Sequence, residues 1–270
     1  MSEKVLFVLE GKAKEPAVLD AIWEFVFARY TAHKPPKVVY TYCTHIYKLF
    51  KELSADPDLD LLGLLKEDDP DGILADADGD TFSSVYLFFD YDGHVNMPQK
   101  DSGGHWDGDD ILTEMLDLFD QETERGKLFV SYPMVEAIQH LDKKPADVSA
   151  LVTAKCKGPH CPMRDTCPDR PECPPVKTYK TLVAGEIPAL TNIAGITHAT
   201  WAEIIGHHLY TAALLHHGTS VIDSIISQKD IFDRQKSYIA LPCPQVVVLS
   251  GFPLFILDYL GTEKTLGLLS

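Results

Sequence analysis

The chain alternates between short apolar runs and stretches where apolar residues recur every three or four positions. KVLFVL is β-branched and aromatic and ends at Glu10-Gly11, which predicts a strand closed by a tight turn. The next segment, EPAVLDAIWEFVFARY, places Val18, Leu19, Ile22, Trp23, Val26 and Phe27 on one helical face. KVVYTY at residues 37 to 42 reads as a second strand, and HIYKLFKEL, with Ile46, Leu49, Phe50 and Leu53, as its helix. VYLFFDYDGH is nearly all apolar before its aspartates, as a strand buried on both faces of a parallel sheet requires. A loop over 93 to 108, a helix at ILTEMLDLF, a strand at KLFVSY and a helix at PMVEAIQHL complete the pattern, with Pro133 suited to that helix's first turn. Strand–helix alternation through residue 141 predicts an open α/β sheet with right-handed crossovers.

Residues 52 to 80 carry 11 acids and one base, Lys66, and read most simply as a solvated excursion with a short helix at LLGLL. Beyond Lys143 the character changes to Pro-rich and Cys-rich sequence as far as Lys180. The chain from Thr181 on is mainly helical in pattern, including HATWAEIIGHHLYTAALLHHG and TSVIDSIISQKDIFDRQ. The closing PCPQVVVLSGFPLFILDYL fits either a buried helix or a strand followed by a helix. The expected organisation is therefore a domain over 1–143, a Cys-rich segment over 144–180 and a helical region over 181–270.

Twenty-four Lys and Arg against 40 Asp and Glu give a net charge of −16, which excludes clamping of a phosphate backbone by the surface as a whole. Any nucleic-acid site must be a local basic patch or act through bound metal. Six Lys and Arg against three acids between 155 and 180 make that segment the best local candidate, beside its plainer reading as a solvated loop. No apolar stretch reaches 18 residues, and the N-terminal apolar run is only five residues long before Glu10. The expectation is a cytoplasmic protein without a membrane span or export signal.

Candidate chemistry sits at two strand ends. VLFVL delivers Glu10, and VYLFF delivers Asp90 with Asp92 two residues on. In open α/β sheets ligands gather beyond the carboxyl ends of the strands, so the three acids converge if these strands are neighbours. Clustered carboxylates repel unless a cation neutralises them, and aspartates at i and i+2 supply the hard oxygens that Mg²⁺ or Mn²⁺ prefers. A bound metal activates water or stabilises a leaving oxygen, which points to phosphoryl transfer or phosphodiester hydrolysis. Asp-Tyr-Asp-Gly is also ordinary turn chemistry, and Glu-Gly can simply end a strand.

VLFVLEG, with VYLFFDYDGH some 80 residues later, resembles the Glu and Asp-x-Asp motifs of TOPRIM domains, the topoisomerase–primase module. The variant is most similar to nucleases of the overcoming-lysogenization-defect type and related phage-defence proteins. Their Glu-Gly-x-x-x-Glu motif reads here as Glu10-Gly11-Lys12-Ala13-Lys14-Glu15. The resemblance implies that Glu10 is the general acid/base or a metal ligand, that Asp90 and Asp92 hold Mg²⁺, and that Glu15 assists a second metal. It spans about residues 4 to 141 and implies a nuclease acting on DNA or RNA in anti-phage defence, under regulation. GKLFVSYPMVEAI is similar to a segment in bacterial proteins carrying this module, which adds Glu136 as a further candidate. Glu15 equally suits a carboxylate at a helix N-terminus, interacting with the macrodipole, and Glu136 a surface or supporting acid.

LFFDYDGHV is also similar to the opening motif of haloacid-dehalogenase phosphatases, with Asp90 as nucleophile and Asp92 as acid/base. That reading leaves Glu10 unexplained and lacks the family's usual later Lys and acidic motif. A third reading is a non-catalytic adaptor docking through its acidic surface. Asp76, Asp78 and Asp80 alternate as in a calcium loop, but Thr81 stands where Gly is needed and Leu87 where a bidentate Glu is needed, so that loop is rejected. No phosphate-binding Gly-x-x-x-x-Gly-Lys-Ser/Thr loop occurs, so a regulatory ATPase would have to be a partner subunit.

Cys156, Cys161, Cys167 and Cys173 are separated by four, five and five residues. Four thiolates satisfy tetrahedral Zn²⁺ and would staple a Pro-rich loop, with an iron–sulfur cluster, a disulfide or free thiols as the alternatives. In HATWAEIIGHHLYTAALLHHG, His207 with His216 and His208 with His217 lie nine apart, not at the i, i+4 spacing of a helical metal site. These histidines are expected on the surface or facing a partner, with Trp201, Ile204, Ile205 and Leu209 as the core face. The C-terminal helices leave a homodimer contact, a sensor and a substrate clamp equally open.

Overall fold

The computed structural model describes residues 4–29, 34–44, 46–56, 58–91, 108–141, 151–153, 179–186, 188–241 and 245–270. The chain divides into two compact units, Met1–Phe89 with Leu112–Val130, and Asp90–Ile111 with Ser131–Ser270.

An α/β sheet with its helices makes up the first unit, except that Asp90, residues 108 to 111 and Ser131, at the ends of their elements, group with the second. The elements are β1 (Val5–Leu9), α1 (Lys14–Arg29), β2 (Lys37–Thr41), α2 (Ile46–Ala55), α3 (Leu61–Glu67), β3 (Ser84–Asp90), α4 (Gly108–Leu118), β4 (Asp120–Gln121) and β5 (Gly126–Ser131). The strand order is β2-β1-β3-β5-β4, mostly parallel. β1 runs parallel to β2 and to β3, pairing Leu9 with Thr41 on one side and with Phe88 on the other. The short β4 pairs antiparallel with β5 at the sheet edge. Every residue of β1 is buried, which is why the sequence shows an unbroken apolar run there and no alternation. Phe7 meets the Trp23 ring edge-on at 5.2 Å and stacks on Tyr86 at 5.8 Å, while Phe88 stacks on Phe129 at 5.5 Å. Each such fully buried side chain contributes roughly 1.5–3 kcal/mol.

The acidic stretch is more than a solvated excursion. Asp60 caps α3 by accepting from the Gly63 N–H at 3.0 Å, and Leu61, Leu64 and Leu65 are buried. The Tyr40 hydroxyl of β2 reaches the carbonyls of Leu65 at 3.2 Å and Asp68 at 2.7 Å. Most of the acids are exposed while the leucines pack, and Asp69 accepts from the Leu74 N–H at 2.6 Å, so the local charge count hid an anchored segment.

In the second unit, β6 (Leu151–Thr153) pairs antiparallel with β7 (Gln245–Val247). The helices are α5 (Tyr179–Glu186), α6 (His198–His217), α7 (Gln228–Ile239), α8 (Gly251–Leu260) and α9 (Thr262–Leu269), with α6 packing against α7, α8 and α9. Thr197 caps the start of α6, and Gly218 ends it in the left-handed conformation at φ 75°, as helix stops favour. Trp201, Ile204, Ile205 and Leu209 form its buried face as expected. The ambiguous C-terminal run resolves into β7 and then α8, with Ser250 as the N-cap. Of TSVIDSIISQKDIFDRQ only the part from Gln228 on is helical.

Two sequence expectations change here. PMVEAIQHL forms not an α-helix but a 3₁₀ turn over Val135–Gln139, preceded by a cis Tyr132–Pro133 bond. All five residues of the turn are buried, so packing on every side, not the preference of one amphipathic face, sets its backbone. His208 is fully buried, not exposed. Among the described residues no helix is long and apolar enough to cross a membrane.

Candidate functional site

Glu10 comes directly after β1 and is half-buried. Its backbone is fixed on both sides: its N–H donates to the Phe88 carbonyl at 3.2 Å, and its carbonyl accepts from the Cys43 N–H at 3.1 Å. Cys43 takes φ 56°, a left-handed conformation uncommon outside glycine, as the chain leaves β2. The position of Glu10 is thus set by the strand pairing itself.

Gly11 explains the spacing of the Glu-Gly-x-x-x-Glu run. A Cβ there would lie 2.6 Å from one Glu15 carboxylate oxygen and 2.7 Å from the other. The Glu15 carboxylate therefore lies against the backbone next to Glu10, and a side chain at position 11 would push it aside. Glu15 also sits in the first turn of α1, where the helix dipole favours an anion, and it is buried. Both readings of Glu15 draw on this one placement, and the helix-end role accounts for it without a metal.

Asp90 is the last residue of β3 and is half-buried. β1 and β3 are parallel neighbours with Leu9 beside Phe88, so both strands run out toward the same edge of the sheet. Asp92 and the four cysteines Cys156, Cys161, Cys167 and Cys173 lie outside the described residues. Among the described residues no cluster of three His, Cys, Asp or Glu side chains is arranged to hold a metal. The donors at this edge are hard carboxylate oxygens, the type that suits Mg²⁺ or Mn²⁺ and not a thiolate-seeking ion.

Glu136 belongs to the second unit. It is buried, with Lys180 Nζ at 3.6 Å from its carboxylate. Nearby in chain order, His140 Nδ1 lies 3.0 Å from the Tyr179 hydroxyl. The Ser131 Oγ accepts from the Gly251 N–H at 3.2 Å, both within the second unit. Tyr132 and Leu249 exchange backbone hydrogen bonds at 2.7 and 3.0 Å.

Sequence reasoning passed over a cavity of about 300 Å³ in the first unit, just past the end of β2. Lys12, Tyr42, Asp69 and Ile73 are among the residues lining it. They come from three separate stretches of chain, and no local motif joins them.

Comparison with family models, with curated proteins and with solved structures finds no match to this chain.

Proposed function

We propose that the protein is a metal-dependent nuclease that hydrolyses phosphodiester bonds of DNA or RNA, with Glu10, Asp90 and Asp92 as its acting carboxylates. The observation that carries this reading is the pairing of β1 with β3 in parallel. It sends the strand that delivers Glu10 and the strand that delivers Asp90 to one sheet edge, where ligands of open α/β sheets gather. A magnesium ion held by Asp90 and Asp92 would supply charge stabilisation of the phosphate and a more acidic water. Glu10 would hold the proton taken from water or hand one to the leaving oxygen. Its fixed backbone supports that role, since a general acid/base must keep its reach constant. The role in phage defence and the gating by a partner belong to this reading through the sequence resemblance alone.

The test is cleavage of plasmid, single-stranded DNA, tRNA and a chromogenic phosphomonoester in Mg²⁺ or Mn²⁺ by wild type, Asp90→Ala and Glu10→Gln. Polynucleotide cutting that falls about 10²-fold or more in both variants is the expected result. Hydrolysis of the phosphomonoester that is lost in Asp90→Asn and survives Glu10→Gln would replace the nuclease with a phosphatase.

A further inference from the structure

A narrow cleft of about 70 Å³ opens on the first unit at the amino ends of its strands. Leu6 and Val85, register partners near the starts of β1 and β3, line it, so it lies at the far end of these strands from Glu10. Leu61 and Leu65 of α3 complete its depth, and Leu6, Leu61 and Leu65 are buried. The opening is acidic: Asp60 and Glu124 are exposed and Glu122 is half-buried. The Val85 N–H donates to the Glu122 carbonyl at 2.8 Å, which fixes the turn carrying both glutamates against the start of β3. All of these residues belong to the first unit.

Charge, size and surface together narrow the occupant. None of the described residues lining the cleft is basic. Neither Glu122 nor Glu124 has an ion-pair partner among the described residues, and Asp60 commits one carboxylate oxygen to the cap of α3. Three carboxylates without a cation disfavour a polyanion and favour a positive charge. The volume is well below the roughly 300–1,000 Å³ of small-molecule pockets and suits one long side chain. Apolar depth under a charged opening matches the aliphatic stem and cationic head of lysine or arginine. Leu59, next to Asp60 in the chain, is 38% exposed. A free polyamine would satisfy the carboxylates and leave Leu59 bare, whereas a peptide also covers it, as an apolar contact ringed by charge does at protein interfaces.

We propose that this cleft docks a basic segment of a partner protein. One lysine or arginine stem lies on Leu61 and Leu65 with its head among Asp60, Glu122 and Glu124, and an apolar neighbour of that residue covers Leu59. The proposal is independent of the nuclease reading, because it uses none of the carboxylates assigned there. The net charge of −16 attracts such a segment at long range, and the cleft supplies the place where it stops.

The test is fluorescence anisotropy of the full-length protein at physiological salt with a labelled nonapeptide, Lys-Leu-Ser repeated three times, and with its Glu-Leu-Ser counterpart. Spermidine is titrated as competitor. The variants are Glu122→Gln with Glu124→Gln, Leu59→Ser, and a control, Glu203→Gln with Glu263→Gln, that removes the same charge from exposed positions of the second unit. Glu122 is half-buried and Glu124 and Leu59 are exposed, so these changes leave the core intact. The expected result is binding of the lysine peptide and not of the glutamate peptide, weakened about tenfold by the Glu122 and Glu124 changes, about threefold by Leu59→Ser, and less than about twofold by the control. Absence of lysine-peptide binding overturns the assignment. So does an equal loss in the control, which would mean attraction by overall charge. Displacement by equimolar spermidine, with binding unchanged in Leu59→Ser, overturns it in favour of a free polyamine.

Discussion

His208 has no exposed surface, and burial first of all, then the nearby His207 and His140, hold its pKa well below 6.5. The backbone of Ile138 and Ala137 pulls the other way. Its Nδ1 accepts from the Ser250 N–H at 3.4 Å, so the neutral ring carries its proton on Nε2. The unfolded chain takes up a proton at this side chain as pH falls below 6.5, and the folded chain does not until its lower pKa is reached. Stability from this residue is therefore complete above 6.5 and declines below it, by on the order of 1.4 kcal/mol per pH unit. Urea unfolding between pH 7.5 and 5 should show wild type losing stability faster than His208→Phe by about that slope; parallel pH profiles would refute the assignment. Glu10 and Gly11 were legible at this same scale, because a carboxylate and a glycine at a strand end leave a sequence signal. The burial of His208 was not, because its neighbours Ser250 and His140 are distant in sequence. The closure of Gly11 on Glu15 likewise needed the α1 backbone in place before the 2.6 Å approach became visible.

Gln235 binds one element to another. Fully buried on α7, it accepts from the Val247 N–H and donates to the Val247 carbonyl, both at 2.8 Å. A helix side chain thereby completes the hydrogen bonding of a β7 residue. Gln235→Leu keeps the volume but leaves two buried backbone groups open, at a cost of about 2–4 kcal/mol. Chemical unfolding of the full chain measures it, and a loss below about 0.5 kcal/mol would mean that water or a neighbour takes over both bonds. Elements with strong periodicity or caps were readable without the fold: β1, α1, α2, β3 and α6 all sit where the pattern put them. Val135–Gln139 was not, since a segment buried on every side has no polar face to reveal a period. The strand-then-helix reading of the C-terminal run was decided by Ser250, whose hydroxyl accepts from the Phe252 N–H at 3.4 Å and starts α8.

At the scale of the whole molecule, a net charge of −16 opposes any polyanion at long range. Under the nuclease reading, substrate binding must then depend on metal at the carboxylates. Filter binding of single-stranded DNA or tRNA to Glu10→Gln protein should be absent in chelator at physiological salt and appear with Mg²⁺. Strong retention in chelator would show that a basic surface and not the metal captures the strand. The sequence by itself determined the α/β class of the N-terminal part, the run-out of Glu10 and Asp90 at strand ends, and the buried face of α6. These come from periodicity and local turn chemistry, which act between residues close along the chain. Tertiary structure alone decided that β1 and β3 are neighbours, that the leucines of the acidic segment pack while Tyr40 holds its backbone, and that Lys12, Tyr42 and Asp69 share one cavity. Such proximity is set by which buried faces fit together over long separations, and a one-dimensional pattern of apolar and polar residues does not encode it.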